Sequence, residues 1–449
     1  MAASRCRVFI TFLTLALSAC GGGGGTVAPT VPLVPTTAPT SSGPPKHAAD
    51  VIKHVVVIVQ ENRSFDNLFH GFPGADTVSS GPASDGTIVP LRPTSLTAGP
   101  DPGHDYASFV ASYNGGRMNG FDLVGDFPKN VPLFSYAYVP QSEVQPYFDM
   151  AHAYALADRM FQSNNSASYG AHQYLIAAQS ADATNVPNGM PWGCDAPTGS
   201  TVPVLKPDGT MGPGVTPCFD YQTVGDSLDA AGVTWAYYAP SVVASPTDPA
   251  GAIWSAYDAV RHIRYGPDWA QNQIAPETAV LNDIRNGALR GVSIVVPDGF
   301  NSDHARFPTT TGPLWVSSIV QAIGSSRYWK DTAIFVVWDD WGGWYDHVKP
   351  PHRDRMGMGF RVPLIVASPY ARSAYVSHTT YEFGSILRFI EDTFALGTLG
   401  GTDATSNSIA DVLDFNAAPR AYTPVAAHRR SVESFRHVQP GDIGPPPDD

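Results

Sequence analysis

Short apolar runs recur along the chain, and several of them end abruptly in polar or acidic residues. Continuous β-branched runs without polar alternation are typical of strands buried on both faces. Segments with helical spacing lie between and after these runs. The alternation predicts an α/β fold with a mostly parallel central sheet and helices on both faces. The strand runs occupy residues 54–60, 233–238, 292–296, 335–338 and 359–369, and the helical patterns occupy residues 143–157, 226–231, 314–324 and 383–394.

The polar residues that follow three of these strands predict one shared site. The carboxyl ends of parallel strands meet at one edge of a sheet, where ligands and metals usually bind. Gly342 and Gly343 would let the backbone turn tightly there and approach a ligand closely. A solvated acidic turn after an edge strand is the alternative. The candidate side chains are Glu61 and Asn62 after the first strand, His304 after another, and Asp339, Asp340 and His347 after residues 335–338.

Two further candidates lie outside these strand ends. Ser168 precedes the helix-forming residues 171–179, and free N–H groups at a helix N-terminus stabilise an anion. A serine there could act as a nucleophile whose phosphate is cradled by the helix, or it could simply cap the helix. His104 lies in a long Gly/Pro/Ser/Asp-rich loop over residues 75–135, where an isolated histidine is usually solvated.

Composition excludes several classes of protein. Hydrophobic residues make up 43% of the 449 and charged residues 15%, which indicates a globular chain. The 42 glycines and 41 prolines predict long loop insertions. The formal net charge of -13 argues against a nucleic-acid partner and against tight adsorption to anionic lipid.

The first twenty residues predict export and lipid attachment. A basic start and a short apolar run lead into Leu-Ser-Ala-Cys, which ends at Cys20 and resembles a bacterial lipobox. We therefore expect a signal peptide at 1–19, a lipidated Cys20, a disordered Gly/Pro/Thr linker over 20–49, and membrane contact through the lipid anchor only. An ordinary secretory signal cut nearby is the alternative. Both place the protein outside the cytosol.

The remainder predicts one folded domain over residues 50–438 and a disordered Pro/Asp-rich tail at 439–449. Its cysteines are Cys194 and Cys218, and in an oxidising compartment two such cysteines most simply form a disulfide. A metal pair is less favoured, since no flanking histidine or cysteine completes a zinc set.

From about residue 51 to 397 the chain resembles the bacterial and plant phosphoesterases that include the non-specific phospholipases C and an acid phosphatase branch, within the alkaline-phosphatase-like superfamily. The resemblance rests on Glu-Asn-Arg-Ser-Phe-Asp at 61–66, on 339–348, which is similar to Asp-Glu-x-x-Gly-x-x-Asp-His-Val, and on Gly-x-Arg-Val-Pro at 359–363. Ser-Tyr-Gly-Ala-His at 168–172 stands where the phospholipase branch has Thr-x-Pro-Asn-Arg, and Asp340 stands where it has Glu. At both positions the chain is more similar to the acid phosphatase branch, which pairs a Ser nucleophile with two adjacent aspartates.

The resemblance implies an alkaline-phosphatase-like fold, one divalent metal and a phosphoserine intermediate. Oxygen ligands fit Ca, Mg or Mn better than structural Zn but do not decide among the four. Histidines would face the phosphate or the leaving group, which they can protonate. The implied metal ligands are Glu61, Asn62, Ser168, Asp339 and Asp340, with Ser168 also the nucleophile, and the implied histidines are His104, His304 and His347.

The sequence therefore predicts a metal-dependent hydrolase of organic phosphate esters, acting on a small ester or a phospholipid. A phospholipase C that cleaves phosphocholine-type lipids is the second hypothesis. A non-catalytic surface-binding lipoprotein is a third, and the presence of nucleophile, acids and histidines weighs against it. A sulfatase is disfavoured because the chain has no Cys-x-Pro-x-Arg or Ser-x-Pro-x-Arg motif.

Overall fold

A nine-stranded sheet forms the centre of the computed structural model, which describes residues 46–425 except 98, 128–130, 244–248, 306 and 308–309. These residues belong to one compact unit, Pro45–Asp449. The strands of the sheet are β1 (His54–Gln60), β2 (Ala155–Phe161), β3 (Trp235–Tyr238), β4 (Gln273–Ile274), β5 (Val292–Val295), β6 (Thr332–Trp338), β7 (Arg361–Ala367), β8 (Tyr375–Ser377) and β9 (Tyr381–Glu382).

The order of the sheet is β4-β3-β5-β1-β6-β7-β2-β8, and β9 also pairs with β2. Strand β7 runs antiparallel to β6 and β2, and the other neighbouring pairs are parallel. Every residue of β6 and β7 is buried, so elements cover both faces of the sheet there. The predicted α/β class with a mostly parallel sheet is confirmed.

The helices pack around this sheet. The α-helices are α1 (Ala48–Val51), α2 (Phe65–Leu68), α3 (Tyr106–Tyr113), α4 (Gln145–Ala153), α5 (Ser168–Ala177), α6 (Val224–Ala230), α7 (Ala250–Trp254), α8 (Arg261–Arg264), α9 (Pro267–Asn272), α10 (Ala279–Asn286), α11 (Gly312–Gly324) and α12 (Phe383–Phe394). Short 3-10 turns lie at Asn114–Gly116, Phe121–Leu123, Ala256–Ala259, Trp329–Asp331, Thr402–Ala404 and Ile409–Val412. In the described part of the chain, no helix has both the length and the apolarity needed to cross a bilayer.

Long loops separate several of these elements, as the glycine and proline content predicts. Two-stranded ribbons pair segments within these loops. The disulfide between Cys194 and Cys218 closes one of the loops, as the cysteine count predicts. The ribbons pair Ser80–Pro82 with Ile88–Pro90, Arg92–Pro93 with Ala137–Tyr138, Asp101–Pro102 with Asp126–Phe127, and Val202–Leu205 with Met211–Val215.

The helix predicted over residues 143–157 is wrong in its second part. Helix α4 ends at Ala153, and the chain then enters β2 at Ala155. Strand β2 pairs with β7, β8 and β9, and these long-range hydrogen bonds override the local helical spacing.

The predicted segment boundaries fall mostly outside the described residues. The signal peptide at 1–19, Cys20, the linker up to residue 45 and the tail at 439–449 are all in that part of the chain. Helix α1 begins at Ala48, two residues before the predicted domain start.

Candidate active site

The parallel pairing of β1 and β6 brings their polar ends together. Gln60 is the register partner of Trp338, so Glu61 and Asp339 emerge side by side at the end of the pair. The Asp339 N–H donates to the Gln60 carbonyl at 2.9 Å, which continues the ladder by one more residue. Both carboxylates are fully buried.

Asn62 turns the chain back across this edge. Its φ of 57° lies in the left-handed region, which asparagine tolerates better than most residues. The Asn62 N–H donates to Asp339 Oδ1 at 2.9 Å, and this hydrogen bond locks the turn after β1 to the turn after β6.

Gly342 makes the tight turn that the sequence predicts, with a φ of 61°. A Cβ atom on Gly342 would lie 2.0 Å from the Asn62 carbonyl oxygen, and one on Gly343 would lie 2.6 Å from Pro102 Cβ. The two glycines therefore lie close to other loops of the protein and not, as the sequence predicts, to a ligand. These two glycines let the loops that bear Asn62 and His104 reach the end of β6.

Ser168 is the first residue of α5 and is fully buried. Ala167 takes the N-cap position, so Ser168 does not serve as the cap. The Ser168 hydroxyl donates to Asp340 Oδ2 at 3.0 Å. Its oxygen also lies 3.3 Å from Asn62 Nδ2, which donates to it. Ser168 therefore lies at the N-terminal end of a ten-residue helix, where N–H groups favour an anion.

The Asn62 amide is the centre of a group that we call the nucleophile cluster: Asn62, His104, Ser168 and Asp340. Asn62 Nδ2 lies 3.2 Å from each oxygen of Asp340 and 3.0 Å from His104 Nε2. His104 Nδ1 lies 2.8 Å from the Pro102 carbonyl, to which it must donate as Nδ1–H. That hydrogen bond directs His104 Nε2 into the cluster.

A second group lies beside it and includes a residue that the sequence reasoning missed. His172 Nε2 is 3.1 Å from Glu61 Oε1 and 3.7 Å from Asp339 Oδ2, and all three side chains are buried. We call Glu61, His172 and Asp339 the carboxylate–histidine cluster. His172 follows Ser168 by four residues, so both lie on one face of α5. This spacing is the sequence signal that could have identified it.

These two clusters have the donors that a divalent cation requires. Ligand atoms of the carboxylate–histidine cluster lie within 4.8 Å of one another. In the described part of the chain, Asp339 Oδ2 and Asn62 Oδ1 are buried without a hydrogen-bond partner. Buried carboxylate and amide oxygens in this state fit a hard cation, because a buried oxygen without a hydrogen-bond donor is costly.

His304 lies next to the nucleophile cluster. Its ring centroid is 5.6 Å from that of His104, and its Nδ1 hydrogen-bonds the Ala305 carbonyl. Gln60 holds the loop that bears it, because Gln60 Oε1 accepts from the Asp303 N–H at 2.9 Å. Gln60 Nε2 also donates to the Asn301 carbonyl at 2.8 Å.

The buried carboxylate of Asp303 anchors this loop through its hydrogen bonds. Asp303 Oδ2 accepts from the Tyr147 hydroxyl at 2.7 Å and from Trp338 Nε1 at 3.0 Å. Burial raises the pKa of Asp303 to about 6, although these donors and the charge of Arg63 oppose the rise. Burial in turn lowers the pKa of Arg63 to about 10.

His347 belongs to a different network. Its Nδ1 lies 2.6 Å from Asp66 Oδ2 and its Nε2 lies 3.1 Å from Asp76 Oδ1, so both ring nitrogens face carboxylates there. Burial alone lowers the pKa of His347, but the hydrogen bond and charge of Asp66, with Asp346 beside it, outweigh burial and raise the pKa. These contacts do not bring His347 to Ser168.

Arg361 neutralises the same network. It donates to the two oxygens of Asp346 at 2.8 and 3.1 Å and lies 3.3 Å from Asp66 Oδ1. All three side chains are fully buried. Asp66, Asp346 and His347 could geometrically hold a metal, but the guanidinium already supplies the compensating positive charge. The network therefore ties α2, β7 and the loop after β6 together.

A cavity of about 800 Å³ opens beside the nucleophile cluster. His104 and Ala167 are among the residues that line it, so it reaches the residue before Ser168. The loop that contains the disulfide supplies much of the cavity wall. The wall includes Val186, Met190 and Trp192, and the carboxylates in the lining belong to Asp101, Asp105 and Asp126.

Comparisons with known proteins identify the family of this chain. The Phosphoesterase family profile matches residues 52–397. Phospholipase C B of Mycobacterium tuberculosis is 25% identical over 462 residues, with 87% of this chain and 82% of the relative covered. The non-specific phospholipase C3 of Arabidopsis thaliana is 24% identical over 450 residues, with 86% and 77% covered.

Among solved structures, a protein in the alkaline phosphatase superfamily from Vibrio parahaemolyticus overlaps 81% of this chain and 72% of its own. The identity is 12% and the TM-score 0.37. The family match covers most of the chain and includes the ends of β1 and β6 and the start of α5. The chain therefore belongs to the Phosphoesterase family and is a hydrolase of phosphoric ester bonds.

Proposed function

We propose that the protein hydrolyses small organic phosphate monoesters through a phosphoserine on Ser168. One observation supports this more than any other. A buried serine hydroxyl lies at a helix N-terminus and donates to a buried carboxylate at 3.0 Å. That carboxylate is the immediate acceptor for the serine proton, and the helix N–H groups favour a phosphate next to it.

The first chemical step moves two protons. Ser168 Oγ attacks phosphorus and passes its proton to Asp340, while the bond between phosphorus and the leaving oxygen breaks. His104, as an imidazolium, gives its Nε2 proton to that oxygen, so the alcohol departs neutral. A divalent cation held by Glu61, Asn62, Asp339 and Asp340 would neutralise phosphate oxygens and lower the pKa of the Ser168 hydroxyl.

The second step restores the enzyme. Water gives a proton to neutral His104 and attacks the phosphoserine, and Ser168 takes its proton back from Asp340. His304, whose ring centroid is 5.6 Å from that of His104, would also face the phosphate or the leaving group. His347 acts as a positioning residue, because its contacts hold Asp66 and the loop after β6 rather than the phosphate.

The cavity supports a small leaving group. Its volume of about 800 Å³ accommodates an alcohol of ordinary metabolite size next to His104 and Ala167. A second candidate function is a phospholipase C activity on phosphocholine-type lipids. The three aspartates in the cavity lining favour it, since they would attract a quaternary ammonium group, and the curated relatives bear that name.

A substrate panel with the purified protein tests the proposal. We expect turnover of p-nitrophenyl phosphate, weaker turnover of the bis(p-nitrophenyl) diester, none of p-nitrophenyl sulfate, and loss of activity after chelation. Faster release of phosphocholine from phosphatidylcholine vesicles than of p-nitrophenol from the monoester would favour the lipid hypothesis. Ser168→Ala should lose activity by orders of magnitude. Ser166→Ala is the matched control, because Ser166 is a buried serine whose hydroxyl contacts Asn185 instead.

We also propose that the mature protein is lipidated on Cys20 and acts outside the cytosol. The lipobox-like segment supports this, with a signal peptide at 1–19 and a linker that leads to the enzyme domain at 50–438. The linker would let the domain reach substrates some distance from the membrane.

A further inference from the structure

His172 is positioned as more than an ion-pair partner. Its Nε2 lies 3.1 Å from Glu61 Oε1 and 3.7 Å from Asp339 Oδ2, in a pocket where all three side chains are buried. Helix α5 fixes its backbone, and β1 and β6 fix the two carboxylates. Three rigid elements therefore direct one nitrogen and two oxygens at the same point.

The separations from His172 are close to those of ligands that share one ion. Donors about 2.1 Å from a common metal are about 3.0 to 3.4 Å apart in tetrahedral or octahedral geometry. The distance from His172 to Glu61 falls within this range, and the distance to Asp339 is slightly longer. Asp339 Oδ2 is buried and accepts no hydrogen bond in the described part of the chain, so a cation at this point would satisfy it.

We propose that His172 is a nitrogen ligand of the catalytic metal and biases the site toward Zn²⁺ or Mn²⁺ over Ca²⁺ and Mg²⁺. Imidazole suits zinc and other transition metals, whereas an all-oxygen set suits calcium and magnesium. The inference rests on the proposed metal-dependent function. It adds a ligand and a metal class to that function.

The direct test is spectroscopic and needs no substrate. Full-length protein is stripped with a chelator and loaded with Mn²⁺, and electron spin echo envelope modulation then detects any nitrogen bonded to the ion. We expect a ¹⁴N coupling in the wild type that changes when the histidines are labelled with ¹⁵N. A wild-type complex without nitrogen coupling overturns the inference, whatever the variants do.

Variants identify the histidine. His172→Gln should lose the coupling, and its Zn²⁺ affinity should fall by about 10-fold to 100-fold or more, while its Ca²⁺ affinity changes little. His262→Gln is the matched control, because His262 also lies between two carboxylates. Its Nδ1 faces Asp220, and its Nε2 lies 2.8 Å from Asp226 Oδ1. It should keep both the coupling and the affinity. His172→Asn replaces His172→Gln if circular dichroism shows that the latter is misfolded.

The remaining outcomes separate this inference from the proposed function. A coupling or a Zn²⁺ preference that survives in a folded His172 variant overturns the inference, because another nitrogen then supplies it. If the wild type hydrolyses p-nitrophenyl phosphate but shows no nitrogen coupling, the proposed function stands and only the assignment of His172 as a ligand is overturned. A nitrogen-ligated metal in a protein that hydrolyses no phosphate ester supports the ligand and removes the function.

Discussion

Replacement of Gly342 by alanine should disable the site while leaving the fold largely intact. The added Cβ would lie 2.0 Å from the Asn62 carbonyl oxygen. Carbon and oxygen atoms that are not bonded approach no closer than about 3 Å, so the Asn62 backbone would have to move by about 1 Å. Asn62 lies at the centre of the nucleophile cluster, and a 1 Å displacement costs roughly 100-fold in rate.

The alanine also has a backbone cost that must be separated from the steric one. A φ of 61° is left-handed, and an L-residue with a side chain loses about 1 to 2 kcal/mol there relative to glycine. Gly71→Ala is the matched control, since Gly71 has a φ of 72° and open space around its Cβ position. Gly71→Ala should lose stability by a similar backbone amount and keep its activity.

The assay compares kcat/KM for p-nitrophenyl phosphate with the free energy of unfolding in urea for both variants. We expect Gly342→Ala to lose roughly 100-fold in kcat/KM and more stability than the control. Turnover by Gly342→Ala within about threefold of the wild type would mean that the contact between Gly342 and the Asn62 carbonyl does not position the site. An equal loss of activity in Gly71→Ala would show that backbone strain alone explains the effect.

Three further predictions concern the pH dependence, the buried network and the anchor. The raised pKa of Asp303, about 6, means that its protonated form stabilises the fold below about pH 4 and that this contribution is lost as the pH rises through 6. Relative to Asp303→Asn, the wild type should lose about 3 kcal/mol of unfolding free energy between pH 4 and pH 7, and a flat difference across that range would contradict the linkage. Arg361→Ala should cost about 3 to 5 kcal/mol in urea unfolding, because it leaves Asp346 and Asp66 buried without their cation; a loss below about 1 kcal/mol would mean that the network is solvated. Cys20→Ser should release the protein from the membrane fraction, and its retention there would refute the lipid anchor.

The ends of β1 and β6 could be predicted because local pattern and topology agree there. Both runs are β-branched and apolar, and each ends at the residues that meet in the structure. A parallel pair forces Glu61 and Asp339 together once the two strands are recognised. Ser168 is predicted from a helix start instead, just before the helix-forming residues 171–179, and α5 in fact begins at Ser168 itself.

The rest depends on contacts that are distant in sequence. The helical spacing of residues 143–157 continues into the start of β2, and the pairing of β2 with β7, β8 and β9 makes that part a strand. His347 lies in the same loop as Asp340, yet it turns to Asp66 and Asp76 because those carboxylates are placed there by other elements. His172 looks like an ordinary helix residue until Glu61 and Asp339 are seen beside it.

Trapping the phosphorylated enzyme tests the role of Ser168 most directly. Wild-type protein is mixed with excess p-nitrophenyl phosphate, quenched in acid within the first turnovers, digested and mapped by tandem mass spectrometry. We expect one added phosphoryl group on Ser168, and none in Ser168→Ala. A phosphoryl group on Ser163 or Ser166, or turnover by Ser168→Ala at the wild-type rate, would contradict it.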